Sequence, residues 1–115
     1  MDILLNKDSV KRVKASLDEF DKSIKILVLD QTARTANDAA KALSCEVGAI
    51  VKSLLIKTDN TFILCLVSGD KRCSLNKLKK LTRKKDVCMA NADSVKEYTG
   101  FTIGGVSPVG LKKSL

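Results

Sequence analysis

The run Val47–Lys57, Val-Gly-Ala-Ile-Val-Lys-Ser-Leu-Leu-Ile-Lys, constrains this chain more than any other stretch. Its β-branched and aliphatic residues favour a strand, where neighbouring branched side chains pack well on a pleated surface. Alternate residues of a strand share a face. Ile50, Lys52, Leu54 and Ile56 therefore fall on one side, and Val51, Ser53, Leu55 and Lys57 on the other. Lys57 reaches water at the strand end, whereas Lys52 lies mid-strand between apolar neighbours. A lysine so placed extends its stem to solvent, meets an anion, or lowers its pKa. A snorkelling stem on an edge strand and a functional cation both satisfy the pattern.

The elements around this strand follow from period and punctuation. Asp8 is a candidate cap for a helix whose Val10, Val13, Leu17 and Phe20 recur on one face, read as a core face. Lys25–Leu29 is a short apolar run and reads as a buried strand. After the polar connection Asp30–Arg34, Thr35-x-x-Asp38 has capping-box form ahead of the alanine-rich Ala36–Leu43. Thr58-Asp-Asn60 is a turn, and Thr61–Val67 completes a hairpin with the Lys52 strand. Ser74 caps a helix from Leu75 to about Leu81 with Leu75, Leu78 and Leu81 as its ridge. Val87–Ala90 is a short strand, Asp93 caps a helix ending near Tyr98, and Gly100 stops it. The final segment, Phe101–Gly110, is read as a strand containing Gly104-Gly105 and the chain's only proline, Pro108. Adjacent glycines admit positive φ and close approach of a ligand, although an ordinary tight turn uses them too. A hairpin interleaved with helices gives an α+β class with a mixed, largely antiparallel sheet.

The chain of 115 residues is the length of one domain, and 44% apolar with 30% charged residues suits a globular fold. No apolar run approaches the ~20 residues of a membrane helix, and the N-terminus lacks the basic and apolar regions of a secretory signal. A cytoplasmic location without membrane contact is the default expectation. Cys45, Cys65, Cys73 and Cys88 form no Cys-x-x-Cys pair and read as reduced thiols, with Cys65 inside an apolar strand and buried. The chain has no histidine, which removes Ser-His-Asp and Cys-His catalysis and histidine metal ligation. Chemistry here rests on lysine, carboxylates, hydroxyls, main-chain groups or the substrate itself.

The net charge of +8 comes from one segment. Lys71, Arg72, Lys77, Lys79, Lys80, Arg83, Lys84 and Lys85 lie within fifteen residues that hold no acid, and the remainder carries 13 basic and 13 acidic residues. Segregated positive charge is the footprint of a polyanion such as RNA, against the alternative of a solvated lysine-rich helix.

Thr35-Ala-x-x-Ala-Ala40, Ile50-Val-Lys-Ser-Leu54, Leu66-Val-Ser-Gly-Asp70 and Thr99-Gly-Phe-x-Ile-Gly-Gly-Val-Ser-Pro-Val-Gly110 occur in the order and spacing of one family. From about Leu27 to Leu115 the chain resembles the YbaK/prolyl-tRNA synthetase-associated editing domains. The resemblance implies an α+β fold with a partly barrel-like sheet, and hydrolysis of mischarged tRNA, most often proline tRNA carrying alanine, cysteine or a similar small residue. It implies Lys52 as the active-site lysine and Gly104, Gly105, Val106, Ser107 and Pro108 as the substrate loop. No metal or organic cofactor is implied. The basic segment Lys71–Lys85 is then the tRNA-backbone contact, with prolyl-tRNA synthetase as a second candidate partner. Residues 1–115 are read as a single editing domain that is short at its C-terminus relative to the family. Such a chain leaves a sheet edge open, which pairing of two copies as a homodimer covers. A non-catalytic module that binds tRNA or a synthetase is the alternative activity class.

Overall fold

A computed structural model describes residues 3–29 and 35–115. The Asp30–Arg34 connection lies outside the described residues.

Among the described residues three strands form the sheet: β1 (Val51–Thr58), β2 (Thr61–Ser68) and β3 (Val87–Met89), in the order β2-β1-β3. Both pairings are antiparallel, so the α+β expectation holds, and the sheet is open rather than closed. Thr58 pairs with Thr61 across the two-residue loop Asp59-Asn60, with Asp59 at φ +53°. Tight hairpin turns require positive φ, and aspartate tolerates it better than a branched residue. Asp59 also receives the Asp86 N–H on its carboxylate at 2.9 Å and gives its own N–H to the Asp86 carbonyl at 2.7 Å. The hairpin tip thereby fixes the entry to β3.

The strand begins at Val51, four residues later than the apolar run suggests. Val47–Ala49 instead makes a 3-10 turn, closed by the Ile50 N–H on the Val47 carbonyl at 3.1 Å. Gly69 explains the detour. Its N–H meets the Ile50 carbonyl at 2.6 Å, and a Cβ there would lie 2.3 Å from the Val47 carbonyl oxygen. The turn packs against the end of β2 at a distance only glycine permits.

The described residues also form four α-helices, α1 (Asp8–Phe20), α2 (Ala36–Leu43), α3 (Leu75–Thr82) and α4 (Ala92–Thr99). Thr35 caps α2 by accepting the Asp38 N–H at 3.1 Å, and Ser74 caps α3 by accepting the Lys77 N–H at 3.2 Å. At α4 the cap is Asn91, which accepts the Ser94 N–H at 2.8 Å, rather than Asp93, which lies in the first turn. Gly100 at φ +78° ends α4 as expected. Asp8 is the first residue of α1 and makes no cap bond.

The core is small. Leu55, Ala90 and Val95 form its centre, with Phe62, Tyr98 and Val106 packed against it and the Phe62 and Tyr98 rings 4.3 Å apart. Three expected core contributors stand outside it. Lys25–Leu29 forms no strand, and Leu27 is 71% exposed. The apolar stripe of α1 buries no residue, and Phe20 is 83% exposed. Leu81 of α3 also faces solvent. Phe101–Gly110 is a succession of turns and bends rather than a strand. Among the described residues no helix is long and apolar enough to cross a membrane.

Candidate functional site

Lys52 is the second residue of β1, not a mid-strand residue. Its register partner is Val67, which places it on the sheet face of Leu54, Cys65 and Ile56, opposite Ser53 and Leu55. The side chain is half-buried and runs outward, where Nζ donates to the Lys71 carbonyl at 2.8 Å. The ammonium is therefore met by a main-chain carbonyl at the first residue of the basic segment.

That contact is held by the turn after β2. Ser68 Oγ lies 2.7 Å from the Gly48 carbonyl oxygen and 2.8 Å from Asp70 Oδ1, so its single proton serves two acceptors. The Ser68 hydroxyl holds the Asp70 carboxyl below its usual pKa, with smaller help from the Lys71 and Lys52 ammonium groups. Asp70 is accordingly a carboxylate at neutral pH beside the lysine.

β3 pairs only with Ile56–Thr58, and the Ala90 N–H closes on the Leu55 carbonyl at 3.0 Å. Ahead of Leu55, β1 has no strand beside it on that edge among the described residues. A cavity of about 550 Å³ opens there. Lys52, Ser53, Gly104 and Val106 line it together with the small residues Ala36 and Ala39 of α2. Leu55, Ala90 and Val95 give it an apolar floor continuous with the core. A volume of this order suits a small organic group. A second hollow, of about 660 Å³, lies between Ile63–Leu64 and the 109–115 segment, but it is more open and holds neither Lys52 nor Gly104.

Sequence reasoning missed two residues here. Ser53 is only 9% exposed, and its Oγ has no hydrogen-bond partner. An orphaned buried hydroxyl is rare and costs about 1–3 kcal/mol, a deficit that a ligand or ordered water removes. Its signals in the sequence are adjacency to Lys52 and a place in the Ile50–Leu54 block. The second residue is Arg12 of α1, which donates from Nε to the Gly110 carbonyl and from Nη2 to the Gly100 carbonyl, each at 3.2 Å. The guanidinium also lies 5.3 Å from the centre of the Phe101 ring. One side chain thus brackets both ends of the glycine segment across 88 and 98 residues of sequence separation, which no local pattern signals.

Within the bracket, Gly104 has φ +86° and a Gly105 N–H to Thr102 carbonyl bond of 2.9 Å closes the turn. Nothing lies within 4 Å of where a Gly104 Cβ would stand. Gly104 needs its freedom for conformation, whereas Gly105 does not have positive φ. Of the five residues read as the substrate loop, Gly104 and Val106 line the cavity; Gly105, Ser107 and Pro108 do not.

All eight basic residues between Lys71 and Lys85 are exposed, and α3 supplies Lys77, Lys79 and Lys80. Arg83 at φ +59° ends the helix and turns the chain into Lys84 and Lys85. The four cysteines are free; Cys65 is half-buried rather than buried, and its Sγ lies 3.8 Å from Cys73 Sγ.

The aminoacyl-tRNA editing domain family model matches residues 30–115. The chain is 34% identical over 96 residues to the proline–tRNA ligase of Thermosipho africanus, covering 84% of this chain and 17% of that one. It is 31% identical over 112 residues to the proline–tRNA ligase of Brachyspira hyodysenteriae, covering 96% of this chain and 19% of that one. The chain thus spans less than a fifth of the length of these curated relatives. A solved structure of a candidate trans-editing enzyme for prolyl tRNA synthetase superposes with a TM-score of 0.87 at 39% identity, over 95% of this chain and 69% of that one.

Proposed function

The chain belongs to the aminoacyl-tRNA editing domain family, and from that premise we propose that it is a deacylase that hydrolyses the ester of mischarged tRNA. We take proline tRNA carrying a small wrong residue, such as alanine or cysteine, as the substrate. One observation carries the reading: the neighbours Lys52 and Ser53 and the sequence-distant Gly104 line one cavity at the unpaired edge of β1.

Each group has a task in this chemistry. The Lys52 ammonium binds a phosphate of the tRNA 3′ end, exchanging the Lys71 carbonyl for a charged acceptor. The ammonium already makes a charge-assisted bond to the carbonyl dipole, and a phosphate oxygen adds the Coulomb attraction of a full negative charge, so the exchange is favourable. The aminoacyl side chain enters the cavity over Leu55, Ala90 and Val95, where Ala36 and Ala39 leave room for it. The Ser53 hydroxyl meets a polar atom of the aminoacyl group. The main chain at Gly104 approaches the ester, where an N–H group stabilises the charge that develops on the carbonyl oxygen. The ester is already activated, so binding it beside a water supplies much of the acceleration. The attack forms the acid and frees the terminal ribose hydroxyl. Lys71–Lys85 hold the tRNA backbone without reading sequence. On this reading the protein works alongside translation in the cytoplasm, with prolyl-tRNA synthetase as the source of its substrate.

Hydrolysis of a panel of mischarged proline tRNAs tests the reading. The expected result is release of small amino acids above the spontaneous rate, with correctly charged tRNA spared. Tight tRNA binding without release of any amino acid would favour the non-catalytic module instead.

A further inference from the structure

The thiols of Cys65 and Cys73 are in van der Waals contact, Sγ to Sγ at 3.8 Å. Cys65 belongs to β2, whereas Cys73 lies in the connection from β2 to α3. Both line a surface hollow of about 320 Å³, together with Lys71, Arg72 and Lys77. The hollow gives a small oxidant access to both thiols. Two residues before Cys73 is the carbonyl that accepts from Lys52 Nζ at 2.8 Å. The thiol pair and the site lysine therefore share one short stretch of main chain.

We propose that Cys65 and Cys73 are a two-electron oxidation site, at which a peroxide forms a reversible disulfide that fixes the Lys71 carbonyl against the Lys52 ammonium. In the first step one thiolate sulfur attacks a peroxide oxygen. An S–O bond forms, the O–O bond breaks, and the hydroxide that leaves takes up a proton as water. The second sulfur then attacks the sulfenic sulfur. The S–S bond forms, the S–O bond breaks, and the departing hydroxide takes the second thiol's proton. Two thiols and one peroxide give one disulfide and two waters; the sulfurs lose two electrons and the peroxide gains them. Burial pushes the Cys73 thiol up in pKa, with the Cys65 thiol adding to this and the Lys52 ammonium opposing it. The reaction therefore quickens as pH rises above neutrality. A dithiol reductant reverses it.

The consequence for Lys52 is mechanical. In the reduced protein the 71–73 segment is held to β2 by hydrogen bonds such as Lys71 N–H to the Ser68 carbonyl at 3.0 Å. A covalent tie at Cys73 restricts it further, so the ammonium leaves its carbonyl less readily. The disulfide itself is independent of the deacylase reading, and slower hydrolysis in the oxidised protein follows only if that reading holds.

The experiment treats the full chain with hydrogen peroxide, alkylates the remaining thiols, and maps the peptides by mass spectrometry. Lys52 is labelled in parallel with an amine-reactive ester. The expected result is a Cys65–Cys73 linked peptide two hydrogens lighter than its reduced parts. Lys52 labelling should fall roughly threefold to tenfold, the weight of one hydrogen bond, and recover with dithiothreitol. Cys73→Ser and, separately, Cys65→Ser should abolish both effects. Individually alkylated Cys65 and Cys73, links to the exposed Cys45 or Cys88, or a linked peptide with unchanged Lys52 labelling would each overturn the proposal. Neither readout uses hydrolysis, so its failure is told apart from failure of the deacylase reading.

Discussion

Replacing Arg12 with alanine should loosen the glycine segment from a distance. The substitution removes two hydrogen bonds of 3.2 Å, to the Gly100 and Gly110 carbonyls, and the cation stacked 5.3 Å from the Phe101 ring. Hydrogen bonds from a charged donor contribute about 1.5–3 kcal/mol each when fully desolvated. Arg12 is only half-buried, and water replaces part of what is removed. With ~0.5–1 kcal/mol from the ring contact, a total near 2 kcal/mol is reasonable. For a chain of this size each kcal/mol moves the thermal midpoint by roughly 3–6 °C, so the midpoint should drop by roughly 6–12 °C. Arg12→Lys keeps the charge but not the fork, so it should retain one carbonyl and lose about half as much. Thermal unfolding read by circular dichroism gives the stability. Amide hydrogen exchange across 102–109 gives the local loosening, and single-turnover hydrolysis its effect on the site. A midpoint within about 2 °C of the parent, with unchanged exchange in 102–109, would show that the bracket does not position the loop.

Three further outcomes follow from the same geometry. Gly104→Val should cost about 1–2 kcal/mol through its positive φ and reduce turnover more than tRNA affinity, while Gly105→Val should be milder in both, as stability and single-turnover measurements on the pair will show. Ser53→Ala should leave the thermal midpoint unchanged or raised, because it removes a buried hydroxyl without a partner; in a deacylation assay it should slow release, and a large loss of stability would mean the hydroxyl has a structural bond. Neutralising Lys79, Lys80, Arg83 and Lys84 should flatten the dependence of log tRNA affinity on log salt by about 0.7–0.9 for each phosphate that the variant no longer neutralises, and an unchanged slope would put the RNA surface elsewhere.

What the sequence made legible was local. The hairpin was readable because Asp59-Asn60 interrupts two apolar runs at a spacing that only a tight turn joins. Thr35 and Ser74 were readable as caps because each precedes a helical period by one residue. The family was readable from four short blocks, and two of them supply Lys52 and Gly104 to the same cavity. The failures share a cause. Apolar runs read as buried, yet Leu27, Phe20 and Leu81 are largely exposed in a chain with so small a core. The start of β1 was misjudged because Gly69, some twenty residues later, decides where Val47–Ala49 can lie. The Arg12 bracket and the Cys65–Cys73 contact depend on tertiary approach, and neither carries a mark in its own neighbourhood. At α4, Asn91 and Asp93 are both competent caps, and only the backbone geometry separates them.

The central claim is that Lys52 serves the substrate rather than the fold, and Lys52→Ala tests it most directly. Its ammonium bonds to a single carbonyl at the protein surface, and interactions of exposed charges contribute little to stability. The variant should therefore unfold at a midpoint close to that of the parent. Its single-turnover hydrolysis of mischarged proline tRNA should fall by about a hundredfold or more, the scale on which misplacing the reacting group acts when a substrate-positioning contact is lost. Near-parental hydrolysis in the folded variant would contradict the account and return Lys52 to the status of a lysine that merely reaches water.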